Sequence, residues 1–484
     1  MTKSNIKKNY IYNVLYQILI IIVPLFTSPY LTRVLGAEKL GIYSFTQSYA
    51  HYFVLFILLG VENYGNREIA RVRDDKEKTK TRFWEIYAFQ FALFVIVVAI
   101  YVFLISFVVK DNKLIYWMQL LYVVSAGLDI NWCCFGLEKF KLTVTRNSII
   151  KIGSAVAIFL FVKKQEDLWI YTMIAAGSLL LSQAILWPFI IKEIGYTKPG
   201  KEGIRRHIKP NLILFLPVLS VSLYTIMDKL MLGVMSSKDE VGYYAYAERI
   251  IQIPMSFITA LGTVMLPRAS NLANRGENDT RAQLLNKSMQ FSMLMSVGCT
   301  FGMIAIANVL IPWYYGAAFS RCSLFTQLLS PVIALTSWNT IIRTQVVIPE
   351  QMDRDYLYAV LSGAAINLVL NALLIPKYQG NGAVIATIIA QTTVCVVQYV
   401  TVRKKVGFKK FFTETLAFSL CGIVMMIGLF VLPTITHSTV VDIVFRIVIG
   451  GIVYLVLSMG YLIGIKKDKV LFNTALGLLK RKVQ

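Results

Sequence analysis

Apolar residues in this chain come in long, nearly unbroken runs rather than in the one-face spacing of a soluble helix or the alternation of a half-buried strand. A hydrocarbon core about 30 Å thick takes about 20 residues of helix to cross. Fourteen runs of that kind lie near 11–35, 41–64, 84–109, 114–137, 148–163, 168–191, 210–235, 242–266, 286–311, 322–347, 357–375, 382–402, 413–433 and 440–464. They predict fourteen transmembrane helices. The first is read as a retained span: Ile11 to Leu35 exceeds a leader's apolar core, and no small-residue cleavage site follows. The run at 148–163 is the weakest, being short with Lys151 near its start. The polar links are brief, about ten residues at the longest on one side (Pro312–Arg321), with 65–83 and 192–209 the longest on the other. No soluble domain fits in them. The basic tail after Ile465 carries an apolar stripe at Val470, Leu471, Leu478 and Leu479, which predicts a segment lying along the membrane surface.

Charge adds orientation. Hydrophobic residues make up 56% of the 484 and charged ones 15%, yet 49 Lys and Arg against 26 Asp and Glu leave a net charge of +23. A soluble domain carries more charge than this, and a nucleic-acid binder fewer large apolar residues. Disorder, a secreted disulfide scaffold and a collagen-like chain are excluded by the same balance. With the N-terminus placed inside, 36 of the 49 cations fall in inside segments and 9 at outside ends and loops. That bias predicts both termini on the cytoplasmic side. The six cysteines form no C-x-x-C pair and read as inert buried thiols, and the three histidines (51, 207, 437) are too scattered for a zinc site. Neither a Walker A sequence nor a dinucleotide fingerprint is present, so no cofactor, metal or catalytic group is expected.

A repeat is visible at an offset of 201 residues. Gly41-Ile42-Tyr43 opens the second span and Gly242-Tyr243-Tyr244 the eighth; Arg67 and Arg268 follow at the same distance. The first span carries Pro24 and Pro29, and the seventh Pro217. This predicts an all-α polytopic protein of two six-helix bundles (1–200 and 201–408), two further helices (409–465) and a tail (466–484). Parallel repeats of this kind place a substrate cavity between the halves. The prolines would bend the first helix of each half.

Charges inside a membrane are costly and usually mark a pathway. Lys229, Arg249, Arg343 and Arg446 fall within spans. In the seventh span Ser220, Tyr224 and Asp228 share one helical face with Lys229 beside them; in the eighth Tyr244, Glu248 and Gln252 share one, with Arg249 adjacent. At 1.5 Å per residue both cations lie about 10 Å below the outer surface. Two readings stay open: Asp228–Arg249 and Glu248–Lys229 pair to pin two helices, or the cations face a cavity and hold an anionic headgroup. Asn13, Gln17, Tyr43, Gln47 and His51 suit sugar hydroxyls as well as interhelical hydrogen bonds. Arg33 is placed to snorkel to the outer surface. Asp129 and Glu62, in the inner half, are candidates to take a proton or cation if transport is ion-coupled.

The stretch PLFTSPYLTRVLGAEKLGIYSFTQSYAHYFVLFILLGVENYGNREIAR, Pro24–Arg71, resembles the N-terminal signature of bacterial polysaccharide flippases, the O-antigen repeat-unit (Wzx-type) branch of the multidrug/oligosaccharidyl-lipid/polysaccharide exporter superfamily. DKLMLG at Asp228–Gly233, VGYY at Val241–Tyr244 and LPRAS at Leu266–Ser270 are similar to its span 7–8 hairpin. Asn367–Gln391 resembles its span 11–12 segment, where Gly380, Gly382 and Ala383 permit close packing. The resemblance covers about residues 10–402; spans 13 and 14 match by hydropathy alone.

The resemblance implies an inverted V of two six-helix lobes in the bacterial cytoplasmic membrane. It implies inner-to-outer flipping of undecaprenyl-pyrophosphate-linked oligosaccharide for O-antigen, capsule or exopolysaccharide synthesis. The partners it implies are that lipid-linked oligosaccharide and membrane lipids, with polysaccharide polymerase and glycosyltransferases acting alongside. The cationic cavity it implies maps onto Arg33, Lys229, Arg249 and Arg446. The carboxylates beside Lys229 and Arg249 depart from a simply positive cavity. A cation-coupled multidrug exporter, which needs an acidic, aromatic cavity, and a peptidoglycan-precursor flippase are the alternatives within the superfamily. A polysaccharide polymerase or ligase would need a sizeable outside loop.

Overall fold

The computed structural model describes residues 3–403, 408–433 and 438–465. His437, the tail from 466 and the side chains of Asn13 and Gln17 lie outside the described residues. Every regular element described is helical. Contacts divide the chain into two compact units, Met1–Gly242 and Tyr243–Gln484.

The first unit opens with α1 (Lys3–Leu58), α2 (Val61–Val72) and α3 (Lys76–Phe107). It continues with α4 (Lys113–Gly127), α5 (Asn131–Gly136), α6 (Phe140–Phe161), α7 (Leu168–Ala184) and α8 (Leu186–Ile194), then α9 (Lys201–Thr225) and α10 (Met227–Met235). The next helix, α11 (Lys238–Asn274), begins in this unit and runs into the second. There follow α12 (Asn278–Tyr315), α13 (Ser320–Leu329), α14 (Pro331–Ile342), α15 (Asp353–Tyr378), α16 (Gly380–Val402), α17 (Phe408–Val431) and α18 (Thr439–Gly460).

Twelve described helical runs are long and apolar enough to cross a membrane, thirteen with the bent pair Ala317–Leu329 and Pro331–Val347, which turns by 43°. One of them, Ile22–Val72, has 51 residues. As one unbroken helix at 1.5 Å per residue it would be about 76 Å long, more than two bilayer cores. Gly36 leaves the helix in its midst (φ 75, ψ 176), so this run holds the first two apolar stretches of the sequence. Fourteen sequence runs and thirteen helical ones thus describe the same chain.

Other boundaries differ from the sequence reading. The 148–163 stretch is a full helix from Phe140, and the 84–109 stretch starts eight residues early at Lys76, where Asp75 accepts from the Lys78 amide at 3.1 Å and caps α3. The second span stops at Leu58; Leu59 (φ 43) and Gly60 break it before α2. The breaks in spans 4 and 7, at 128–130 and Ile226, fall at no proline, while Pro24, Pro29 and Pro217 sit inside helices. The break in span 6 at Ile185 follows Ala184, whose carbonyl loses its helical donor to Pro188 four residues on.

Two glycine sites set close packing. A methyl added at Gly382 would stand 2.6 Å from the Leu374 carbonyl, so the α15–α16 hairpin needs no side chain there. In the first unit α1 crosses the first turn of α11. A methyl on Gly41 would meet the Lys238 carbonyl, and one on Gly242 the Ala37 carbonyl. Lys238 and Gly242 lie 201 residues beyond Ala37 and Gly41. The contact is reciprocal at the offset of the sequence repeat.

Each unit has its own apolar core. In the first, Ile57, Tyr101, Val123, Trp132 and Leu186 are among the residues closed to solvent; in the second, Met289, Ile341, Phe418 and Tyr454 are. Cys133, Cys134 and Cys322 are buried, Cys299, Cys395 and Cys421 half-buried, and all six are free thiols.

Candidate functional site

The first cluster forms where α9 gives way to α10. Ile226 (φ −121, ψ −34) ends α9 within an apolar segment. Irregular backbone at that depth is tolerated only where other groups serve its carbonyls. The Tyr52 hydroxyl donates to the Ser222 carbonyl at 3.2 Å, and the Lys229 ammonium to the Thr225 carbonyl at 3.3 Å. Asp228 is buried, 1% exposed, within electrostatic range of Tyr52, and Lys229 is half-buried within range of His51. His51 Nδ1 shares a hydrogen bond with the Tyr122 hydroxyl at 2.6 Å. So α1, α4 and the α9–α10 junction bring an ammonium, a carboxylate, an imidazole and two phenols together. These are donors and acceptors suited to phosphate oxygens and sugar hydroxyls.

Of the residues singled out from sequence, His51, Asp228 and Lys229 meet here. Tyr43 is instead buried against the Tyr171 ring, centroids 4.5 Å apart, while Gln47 and Tyr224 are half-buried. The break at Ile226 lies between Tyr224 and Asp228, so the face expected for Ser220, Tyr224 and Asp228 is not one continuous helical stripe. Tyr52 and Tyr122 were not among the sequence candidates. Nothing marks them among 26 tyrosines except that Tyr52 follows His51.

A second network surrounds the break at 128–130. Gln90 Nε2 donates to the Ala126 and Asp129 carbonyls at 2.8 and 2.9 Å, and Trp187 Nε1 to the Leu128 carbonyl at 3.0 Å. The Asp129 carboxylate accepts from the Asn131 amide and side chain, both at 2.9 Å. Asn131 also donates to Gln183 at 3.0 Å and accepts from Arg146 at 3.0 Å. Arg146 is 6% exposed and bonds Asn147 as well. The sequence reading had placed it in a link; here it is inside α6. Glu62, the other coupling candidate, is exposed on the first turn of α2 and within electrostatic range of Asp129.

In the second unit Arg249 lies over the Tyr246 ring, 4.7 Å from its centroid, and Tyr246 meets Tyr315 edge-on at 5.1 Å. Glu248 beside it is half-buried, Gln252 is exposed, and buried Tyr244 bonds Thr387 at 2.9 Å. Arg446 has other company. Its Nε donates to Asp442 at 2.7 Å and its two terminal nitrogens to the Leu429 and Leu432 carbonyls at 2.7 and 3.0 Å, closing the end of α17. In the first unit, exposed Arg33 donates to the Pro29 carbonyl at 2.9 Å.

Comparison with known proteins gives the family and the fold. Residues 6–273 match the family model described as polysaccharide biosynthesis protein. The chain is 24% identical over 400 residues to a putative O-antigen transporter of Escherichia coli (strain K12), covering 81% of this chain and 95% of that protein. Among solved structures, it resembles a lipid II flippase MurJ in an inward closed conformation, with TM-score 0.76 and 16% identity over 93% of this chain and 99% of the other. It also resembles an inward-facing multidrug resistance MATE family transporter of the MOP superfamily, with TM-score 0.60 and 13% identity over 79% and 95%. At these identities the two structures establish the fold.

Proposed function

The chain belongs to the polysaccharide biosynthesis protein family, and from that premise we propose that it is a flippase for lipid-linked oligosaccharide. It carries polyprenyl-pyrophosphate-linked repeat units from the inner to the outer leaflet of the bacterial cytoplasmic membrane, for assembly of surface polysaccharide. A pyrophosphate with its sugars does not cross about 30 Å of hydrocarbon unaided. The headgroup travels in a wet cavity while the prenyl chain stays in lipid. Two lobes, 1–200 and 201–408, alternate access to the leaflets, and polymerase and glycosyltransferases act on either side of the step.

The observation that carries the reading is Lys229, held beside a broken span within reach of His51, with Tyr122 bonded to that ring. Lys229 binds the pyrophosphate from the first unit, the amides, phenols and imidazole around it bind sugar, and Arg249 is the second unit's candidate phosphate ligand. Asp228 beside Lys229 and Glu248 beside Arg249 offset each cation, so that release follows binding. Arg446, with its donors committed to Asp442 and the end of α17, acts as a clamp in this scheme rather than as a ligand. Asp129 and Glu62 are the groups that would take a proton or cation if transport is ion-coupled. Lys229→Ala and Arg249→Ala are expected to stop repeat-unit export in cells while the protein still inserts; normal export by both variants would sink the assignment.

A further inference from the structure

A cleft of about 400 Å³ opens between α2 and the α5–α6 turn, lined among others by Asn66, Arg73, Phe135, Gly136, Glu138 and Phe140. It belongs to neither polar cluster above. It lies between the C-terminal turns of α2 and the turn joining α5 to α6, among the basic residues Arg67, Arg71, Arg73, Lys139 and Lys141. α2 buries Val61, Tyr64, Gly65 and Ile69 against the core of the first unit and leaves Glu62, Arg67, Ala70 and Arg71 exposed, so its outer face is polar and basic. The rings of Phe135 and Phe140 stack at 5.8 Å, 27° apart, as one wall. Glu138, in the left-handed region (φ 57), turns its carboxylate onto Arg73, and the ion pair spans the cleft with side chains 29% and 36% exposed. A methyl on Gly136 would stand 2.7 Å from Ile69 Cβ, so the cleft floor is closed.

We propose that this cleft holds the headgroup of a primary-amine zwitterionic phospholipid from the leaflet facing the basic links. The argument is charge complementarity. A half-exposed ion pair is weak and opens at little cost. A headgroup with a phosphate and an ammonium replaces that one pair with two: the guanidinium takes phosphate oxygens in its planar fork, and the carboxylate accepts from the ammonium. An anionic lipid satisfies Arg73 and leaves Glu138 facing like charge. The Asn66 amide is placed for the ester region, and the phenylalanine pair supplies the apolar wall that interfacial lipid packs against. This inference stands apart from the flippase reading, and neither fails with the other.

The test is lipid retention by the full-length protein. Protein equilibrated with phosphatidylethanolamine or phosphatidylglycerol is examined by native mass spectrometry as detergent is stripped. Wild type is expected to hold one phosphatidylethanolamine in preference to phosphatidylglycerol. Glu138→Gln is expected to lower phosphatidylethanolamine retention about tenfold, since it removes one charge-assisted bond, and to raise phosphatidylglycerol retention, since it removes a like charge and frees Arg73. Lys139→Gln, whose side chain pairs with Glu193 outside the cleft, should behave as wild type. A melting temperature equal to wild type certifies the fold of each variant. Equal retention of the two lipids by wild type, or an unchanged Glu138→Gln, means annular lipid only and overturns the proposal.

Discussion

The reciprocal glycine crossing makes a quantitative demand on the first unit. In Gly41→Ala the new methyl would stand 2.6 Å from the Lys238 carbonyl carbon and 3.1 Å from the Gly242 nitrogen. Carbon contacts are optimal at about 3.5–4.0 Å, so α1 and the first turn of α11 must part by the difference. Both colliding atoms are backbone, and no rotamer change relieves the clash. Overpacking of this kind costs about 1–3 kcal/mol, which lowers the population of the tight crossing by about 5- to 150-fold. Gly242→Ala meets the Ala37 carbonyl carbon at 3.1 Å and the Gly41 nitrogen at 3.3 Å and should do the same more mildly. The double variant should cost less than the sum, because one methyl opens the gap that the other needs. Spin labels at the exposed positions Glu38 and Ser237, in a cysteine-depleted background in lipid nanodiscs, read the crossing as a distance distribution. Wild type should give a narrow short component that Gly41→Ala depletes. Identical distributions in wild type and both single variants would refute the reasoning, since the glycines would then not be what sets the approach.

Other consequences are as direct. Arg446→Met leaves Asp442, 3% exposed, as a buried charge without its guanidinium, which should cost about 3–5 kcal/mol, whereas Arg446→Met with Asp442→Leu should recover most of it; denaturant midpoints check this, and a stable single variant that loses only transport would return Arg446 to the ligand set. Backbone and side-chain bonds from Lys78 hold the Asp75 carboxyl below its ordinary 3.8. Its cap is therefore intact above that value and lost as pH falls through the lower folded one. Hydrogen-exchange protection at the first turn of α3, taken relative to the intrinsic rate at each pH, should fall at acid pH in wild type and hold in Asp75→Asn, which keeps the cap without the charge.

The hydropathy runs alone located the membrane-crossing helices, because burial in hydrocarbon asks only for length and apolarity. Where a run held a break, the sequence was silent. The breaks at 128–130 and Ile226 depend on partners far along the chain, such as Gln90 for Ala126 and Tyr52 for Ser222, while Pro24, Pro29 and Pro217 lie inside helices and not at those breaks. Gly41 and Gly242 were legible as a repeat but not as a contact, since an offset says nothing of which copies touch. The charged candidates separated only through their neighbours: Lys229 against a helix end and near His51, Arg249 on an aromatic ring, Arg446 in a clamp. Arg146 went unnoticed because a cation near a predicted span end counts as topology until the helix proves longer.

The most direct measurement is translocation by the purified protein itself. Proteoliposomes carrying polyprenyl-pyrophosphate-linked oligosaccharide in the starting leaflet are sampled over time with an impermeant glycan-modifying enzyme at the opposite face. The account predicts that wild-type protein exposes the oligosaccharide faster than protein-free liposomes and that Lys229→Ala, equally inserted, does not. Exposure at the protein-free rate with folded wild-type protein, under an imposed ion gradient as well as without one, would contradict it.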